Sequence, residues 1–256
     1  MSKIHPQAES FLLTGSESAA CLFIHGFTAS PSEVYPVARK IHQITGCTVS
    51  GPLLPGHGMS PEAMDKTGWE DWWDRVAQEI SYLQRSHTQV YVAGLSMGGL
   101  LALYAGSLEN GLEGIIAINT PIFTNSPVLL TLAPLIRLVR PYHPKKEDPL
   151  TRELESQGRF AYPVMPIKAL LSMQRLRKKV VQQLPNLELP VLIFQSQGDD
   201  KVHPRSAQFI MDKAQGSQVR IIELHNSGHI ATMSHDQRLI VREIAAFMEA
   251  NIKLDY

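Results

Sequence analysis

Three residue types in this chain of 256 residues can together move an acyl group. Ser96 stands in Gly94-Leu95-Ser96-Met97-Gly98-Gly99, between VYVA and LLALYAGSL. A G-x-S-x-G segment between a strand and a helix puts the serine on a tight, strained turn, and the flanking glycines let neighbouring backbones approach. Ser96 would then project at a helix N-terminus, where N–H groups and the dipole favour developing negative charge. A hydroxyl needs a base to become nucleophilic, and the base needs an orienter. His229, in Asn226-Ser227-Gly228-His229 after the last apolar run, is the candidate base. The acid is expected in Gln195-Ser196-Gln197-Gly198-Asp199-Asp200-Lys201-Val202, where two aspartates compete. Asp199 and Asp200 both give the chain order serine, aspartate, histidine. The one not used would be a solvated loop charge or a turn former. Charge and spacing do not separate them.

A second segment, His25-Gly26-Phe27-Thr28, can aim the N–H of Phe27 at the oxygen served by the N–H of Met97. Two such donors make an oxyanion hole. His225 and His229 form an H-x-x-x-H pair, a spacing that binds metal on a helix. Here asparagine follows His225 and Gly228 interrupts any helix, so no metal is expected there. His57 and His203 compete as bases in loops and are read as structural or pocket histidines.

These side chains must be held by elements, and the chain alternates short apolar runs with amphipathic stretches. The runs are Cys21–His25, Cys47–Gly51, Gln89–Leu95, Gly114–Asn119, Val191–Gln195 and Gln218–Leu224; several are continuously apolar, as in strands covered on both faces. Helices are expected over Trp69–Leu83, Gly98–Leu108, Pro204–Ala214 and Asp236–Ala250. Ser30-Pro31-Ser32-Glu33 has the form of a capping box opening another. Ser10–Glu17 adds a candidate edge strand, possible in antiparallel pairing. The alternation predicts an α/β fold, a mostly parallel sheet with helices on both faces. Ser96, Asp199 or Asp200, His229 and Phe27 all fall beyond the carboxyl ends of its strands, where open α/β sheets place their sites. About seventy residues between Asn119 and Val191 exceed an ordinary connection. They divide the chain into a core of residues 1–120 and 186–256 and a cap insertion of residues 121–185 that includes part of a crossover helix, supplied by the final part of RLRKKVVQQL.

Composition narrows the partners. Twenty-four basic residues balance 24 acidic ones, which argues against a nucleic-acid binder. Hydrophobic residues make up 44% and charged residues 19%, a globular balance. Cys21 and Cys47 each open an apolar run and read as buried free thiols. MSKIHPQAESFLLTG lacks a secretory pattern, and the longest apolar stretch, Pro127–Val139, contains Arg137 and a proline. A soluble, cytoplasmic protein without stable membrane insertion is expected. The same stretch has an alternative use as a helix that binds a partner or a membrane surface.

In sequence, FIHGFTASPSE, GPLLPGHG, GLSMGG, VLIFQSQGDDKVHP and NSGHIATM resemble the α/β-hydrolase fold bacterial carboxylesterases and monoacylglycerol lipases with a small cap. The resemblance covers nearly the whole chain. In that family a branched aliphatic commonly follows the acid by three residues and a proline by two more; Val202 and Pro204 fit Asp199, not Asp200. The resemblance also implies that Phe27 and Met97 supply the oxyanion N–H groups and that the cap sets acyl and alcohol selectivity. PGHG matches as a loop near the site, with no catalytic role for His57. The implied reaction cleaves a small-molecule ester through an acyl-enzyme and needs no cofactor or metal; the neutral chain with apolar cap segments suits an uncharged, partly hydrophobic ester. Val128, Leu129, Leu130, Leu135, Ile136 and Leu170 would line an acyl pocket or pack the cap onto the sheet. The same triad serves thioesterases, acyltransferases and peptidases, so fold and triad do not name the substrate. Haloalkane dehalogenases and epoxide hydrolases carry aspartate at the elbow, which disfavours both. A non-catalytic ligand-binding member would usually lack a triad residue, and none is missing. Trypsin is expected to cut the cap early near Lys145–Lys146.

Overall fold

A computed structural model describes residues 3–125, 133–135, 140–145 and 149–250. In chain order its strands are β1 (Phe11–Leu13), β2 (Ser16–Ile24), β3 (Cys47–Gly51), β4 (Gln89–Leu95), β5 (Gly114–Ile118), β6 (Tyr142–Pro144), β7 (Val164–Pro166), β8 (Val191–Ser196) and β9 (Val219–Leu224). The helices are α1 (Tyr35–Thr45), α2 (Pro61–Met64), α3 (Trp69–Gln84), α4 (Met97–Gly106), α5 (Pro149–Ser156), α6 (Ile167–Gln183), α7 (Arg205–Lys213) and α8 (Gln237–Ala250). Seven strands form one sheet in the order β1-β3-β2-β4-β5-β8-β9, while β6 and β7 pair separately. Within the large sheet only β1 runs antiparallel, against β3 at the edge. The fold is the α/β architecture expected from the alternation.

The continuous apolar runs are explained by burial on both faces. Every residue of β4 and β5 is buried. Side chains alternate along a strand, so β2 sends Leu22 and Ile24 into one apolar cluster and Cys21 and Phe23 into the other. The first cluster takes Val76 and Ile80 of α3, Leu100 and Leu103 of α4, and Leu176 of α6. The second takes Val37 and Ile41 of α1 and Ile240 and Ile244 of α8. Each such side chain contributes roughly 1.5–3 kcal/mol of burial. Cys21 and Cys47 are free and buried, and burial pushes both thiols up from their ordinary pKa.

Two local expectations are corrected. Ser30 opens only a short 3-10 turn, Pro31–Glu33, and its hydroxyl caps nothing; α1 begins at Tyr35. The Ser30 hydroxyl instead meets Ser32 Oγ and the Phe160 carbonyl, and Glu33 is turned inward. Long-range partners outcompete the local box. Second, the crossover helix is not confined to the final part of RLRKKVVQQL: after β7 that tract is the C-terminal part of one longer helix, α6. Leu170, Met173, Leu176 and Val180 are buried along it while Arg175, Lys178 and Lys179 face solvent. That stripe packs on α3 and α4. Of the two lysines named for trypsin, Lys145 is half-buried and its ammonium donates to Thr28 Oγ1. Lys146, Val128, Leu129, Leu130 and Ile136 lie outside the described residues. Leu170 is buried in the first cluster, which also holds Met97, whereas Leu135 is 66% exposed.

Candidate active site

Ser96 sits between β4 and α4 with φ 56° and ψ −116°, a left-handed conformation that is strained for a residue with a side chain. The turn is held from both sides. Its N–H donates to the Ile118 carbonyl at 2.8 Å, and its own carbonyl accepts from Gly99 N–H at 2.9 Å. A Cβ on Gly94 would collide with the Gly98 carbonyl, and one on Gly98 with the Ile24 carbonyl. Only glycine lets α4 approach β2 and β4 this closely.

From this turn a line of hydrogen bonds leads away. Ser96 Oγ lies 3.0 Å from His229 Nε2, and His229 Nδ1 lies 2.8 Å from Asp199 Oδ2. An ionised carboxylate only accepts, so Nδ1 carries the imidazole proton and Nε2 is free to accept from the serine hydroxyl. Asp199 has a fully buried side chain whose other oxygen, Oδ1, accepts the N–H groups of Lys201 (2.8 Å) and Val202 (2.9 Å). Asp200 is 65% exposed and pairs with Lys201 at 2.6 Å. The two competing aspartates are thereby separated: one is fixed against the imidazole, the other is a solvated loop charge.

Met97 is the first residue of α4, so its N–H has no helical carbonyl to meet. Among the described residues the Phe27 N–H makes no hydrogen bond. The Phe27 ring is half-buried, its centroid 6.1 Å from that of Trp72. The competing histidines are elsewhere engaged. His57 is buried, with Nδ1 at 3.2 Å from the Pro55 carbonyl and its ring between His25 and Trp72. His203 is exposed, and its Nδ1 accepts the Arg205 N–H. His225 is exposed near Glu223. No group of three metal-ligating side chains occurs among the described residues.

Several supporting residues escaped the sequence reading. Asn119, with φ 45° at the end of β5, donates from Nδ2 to Ser196 Oγ, the Gly228 carbonyl and the His229 carbonyl. Its Oδ1 accepts the Ser196 N–H at 2.8 Å. One amide thus ties the ends of β5 and β8 to the histidine loop. Asp236 braces that loop from the other side by accepting from Asn226 N–H at 2.8 Å. Burial alone would raise its pKa, but the Asn226 and Ser227 donors outweigh it and hold the carboxyl below its ordinary value. A polar residue closing the apolar run GIIAIN was the one signal for Asn119; the Asp236 brace had none.

A mostly parallel sheet whose strand–serine–helix turn meets a buried aspartate through a histidine defines an α/β-hydrolase. The chain matches the family described as serine aminopeptidase, S33, over residues 15–236, and it belongs to that family. It is 31% identical over 230 residues to the thermostable monoacylglycerol lipase of Bacillus sp. (strain H-257), covering 88% of each chain. It is 25% identical to a carboxylesterase of Bacillus subtilis (strain 168), covering 96% of this chain and 97% of that one. Among solved structures, one from the metagenome-derived lipolytic enzymes LipS and LipT superposes with TM-score 0.87 at 29% identity, covering 97% of this chain and all of that one. No helix among the described residues is long and apolar enough to cross a membrane.

Proposed function

We propose that this protein is a serine hydrolase that cleaves carboxylic esters of uncharged, partly hydrophobic substrates, short- to medium-chain esters or monoacylglycerols, through an acyl-enzyme. The observation that carries this is the continuous line from Ser96 Oγ through His229 to the buried Asp199 carboxylate. His229 Nε2 takes the Ser96 proton as Oγ attacks the ester carbonyl. Asp199 holds the imidazole and stabilises its charged form. The N–H groups of Phe27 and Met97 receive the oxyanion. His229 then returns the proton to the leaving alcohol, and water activated by the same imidazole releases the acid. The relatives named as a monoacylglycerol lipase and a carboxylesterase support an ester over an amide. We assign residues 121–185 to the cap insertion, with α6 supplying the crossover helix that packs on the core helices.

The test is a chain-length series of nitrophenyl esters and monoacylglycerols, with matching acyl-nitroanilides and acyl thioesters, run beside Ser96→Ala. Ester turnover should exceed the other classes and fall at least about 10³-fold in the variant. Ester turnover unchanged by Ser96→Ala would sink the mechanism, and faster nitroanilide cleavage would move the reading to a peptidase.

A further inference from the structure

The loop that carries Phe27 is gripped from outside the sheet. Residues 26–33 meet the segment around α5 and β7 at several points. Tyr162 N–H donates to the Thr28 carbonyl at 2.8 Å, and Lys145 Nζ donates to Thr28 Oγ1. Phe160 N–H donates to Ser32 Oγ at 2.9 Å, and its carbonyl accepts from Ser30 Oγ at 3.2 Å. The Arg159 guanidinium reaches Glu33 Oε2 at 3.0 Å; these side chains are 11% and 1% exposed. Glu33 turns its other oxygen, Oε1, to the Gly26 N–H at 2.7 Å, one residue before the oxyanion donor. A buried carboxylate is costly, and this one caps no helix. Its two oxygens instead join a guanidinium beyond the sheet to the backbone of the HGFT turn. Thr28 itself holds φ 62°, a conformation a β-branched residue keeps only when its surroundings impose it. Its hydroxyl donates to the Phe27 carbonyl at 2.5 Å while accepting from Lys145.

We propose that Arg159, Glu33 and Lys145 are positioning residues that fix the 26–28 turn so that the Phe27 N–H points at the acyl oxygen, which makes Lys145 and residues 159–162 part of the framework of the oxyanion hole. The inference rests on the ester-hydrolase reading above. Preorganised donors stabilise the transition state only while they are held in place, and the Arg159–Glu33 link and the Lys145 contact hold this one. The Lys145 contact is also sensitive to protons. Burial and the Arg159 guanidinium pull its pKa down to about 7, Lys201 acts in the same direction, and Glu33 and Glu155 oppose it. The charged, stronger donor is therefore present below neutrality and lost above it.

The experiment measures kcat, KM and the affinity of a trifluoromethyl ketone, which adds to a nucleophilic serine and forms an oxyanion, in the full chain and in Arg159→Met and Lys145→Met. The ester turnover of the wild type, abolished in Ser96→Ala, tests the underlying reading separately. With that control in place, kcat and ketone affinity should fall together about 10- to 100-fold in Arg159→Met, with KM within about threefold. The double variant Glu33→Gln, Arg159→Met keeps an acceptor for Gly26 without a stranded charge and should bring kcat back to within about tenfold of wild type. Should Arg159→Met fail to fold, Lys145→Met carries the test. The ratio of its kcat to that of the wild type should climb between about pH 6 and about pH 8.5 as the wild-type lysine loses its proton. Ketone affinity unchanged in a folded Arg159→Met, or a Lys145→Met ratio flat with pH, would overturn the proposal.

Discussion

Asp199 and Asp200 are neighbours of one type, yet their surroundings give them different chemistry. Asp199, its side chain fully buried, gives one oxygen to two backbone N–H groups and the other to His229. Replacing it by asparagine offers His229 either a carbonyl with no charge or an amide donor that selects the wrong tautomer. Turnover should then fall about 10³- to 10⁴-fold. Asp200→Asn removes only an exposed pair with Lys201, worth at most about 1 kcal/mol, and should change kcat less than about threefold. Steady-state kinetics on the two variants decides between them, and a larger loss in Asp200→Asn would reverse the assignment. Ser96 and His229 were legible because a glycine-flanked serine and a glycine-preceded histidine each followed an apolar run. The acid was ambiguous because burial is a tertiary fact, and only the Val202–Pro204 pattern of a resembled family leaned toward Asp199. Asn119 and Glu33 were not legible as site supports, since their partners lie far along the chain.

The elements follow the apolar pattern where that pattern is long. β4 and β3 run over Gln89–Leu95 and Cys47–Gly51, the limits expected from sequence, and every residue of both is buried. The strands β6 and β7 have three residues each and are separated by α5, too little periodicity to be read. The same lack of local signal hid the continuity of α6, where the buried stripe passes beneath a run of lysines and arginines. Among elements, the seating of α4 on β2 is the most sensitive contact. The Ile24 carbonyl that Gly98 must clear ends the strand leading into the HGFT turn, so a methyl group at Gly98 displaces the nucleophile and the turn from each other. Gly98→Ala should cost about 1–3 kcal/mol in urea unfolding and lower kcat with it. Gly228, beside His229, has open space where a Cβ would go. Gly228→Ala should leave the unfolding free energy within about 0.5 kcal/mol of wild type. Equal destabilisation by both substitutions would show that close packing at Gly98 is not the cause.

At the scale of the whole molecule, the balance of 24 basic against 24 acidic residues means that no large net charge strains the fold near neutrality. Mild acid then acts through individual buried groups, and the clearest are His25 and His57. Their rings meet edge to face with centroids 4.9 Å apart, and His57 packs in turn against Trp72 beneath Phe27. Burial lowers both pKa values, His57 the more strongly, with the neighbouring His25 adding to its shift. His25 Nε2 accepts the Leu54 N–H and must stay unprotonated to do so. In the unfolded chain each imidazole takes up its proton near its ordinary pKa of about 6.5. The folded chain refuses that proton until the pH is lower, so below about 6.5 the unfolded state binds more protons and gains relative stability. The stability from these two groups is complete above about pH 6.5 and declines as the pH falls, by up to about 1.4 kcal/mol per pH unit for each histidine. Urea unfolding at about pH 7.5 and about pH 5.5 should show this loss, and His57→Gln, which cannot protonate, should flatten the slope even if it lowers stability throughout. A slope as steep in His57→Gln as in the wild type would place the acid sensitivity elsewhere.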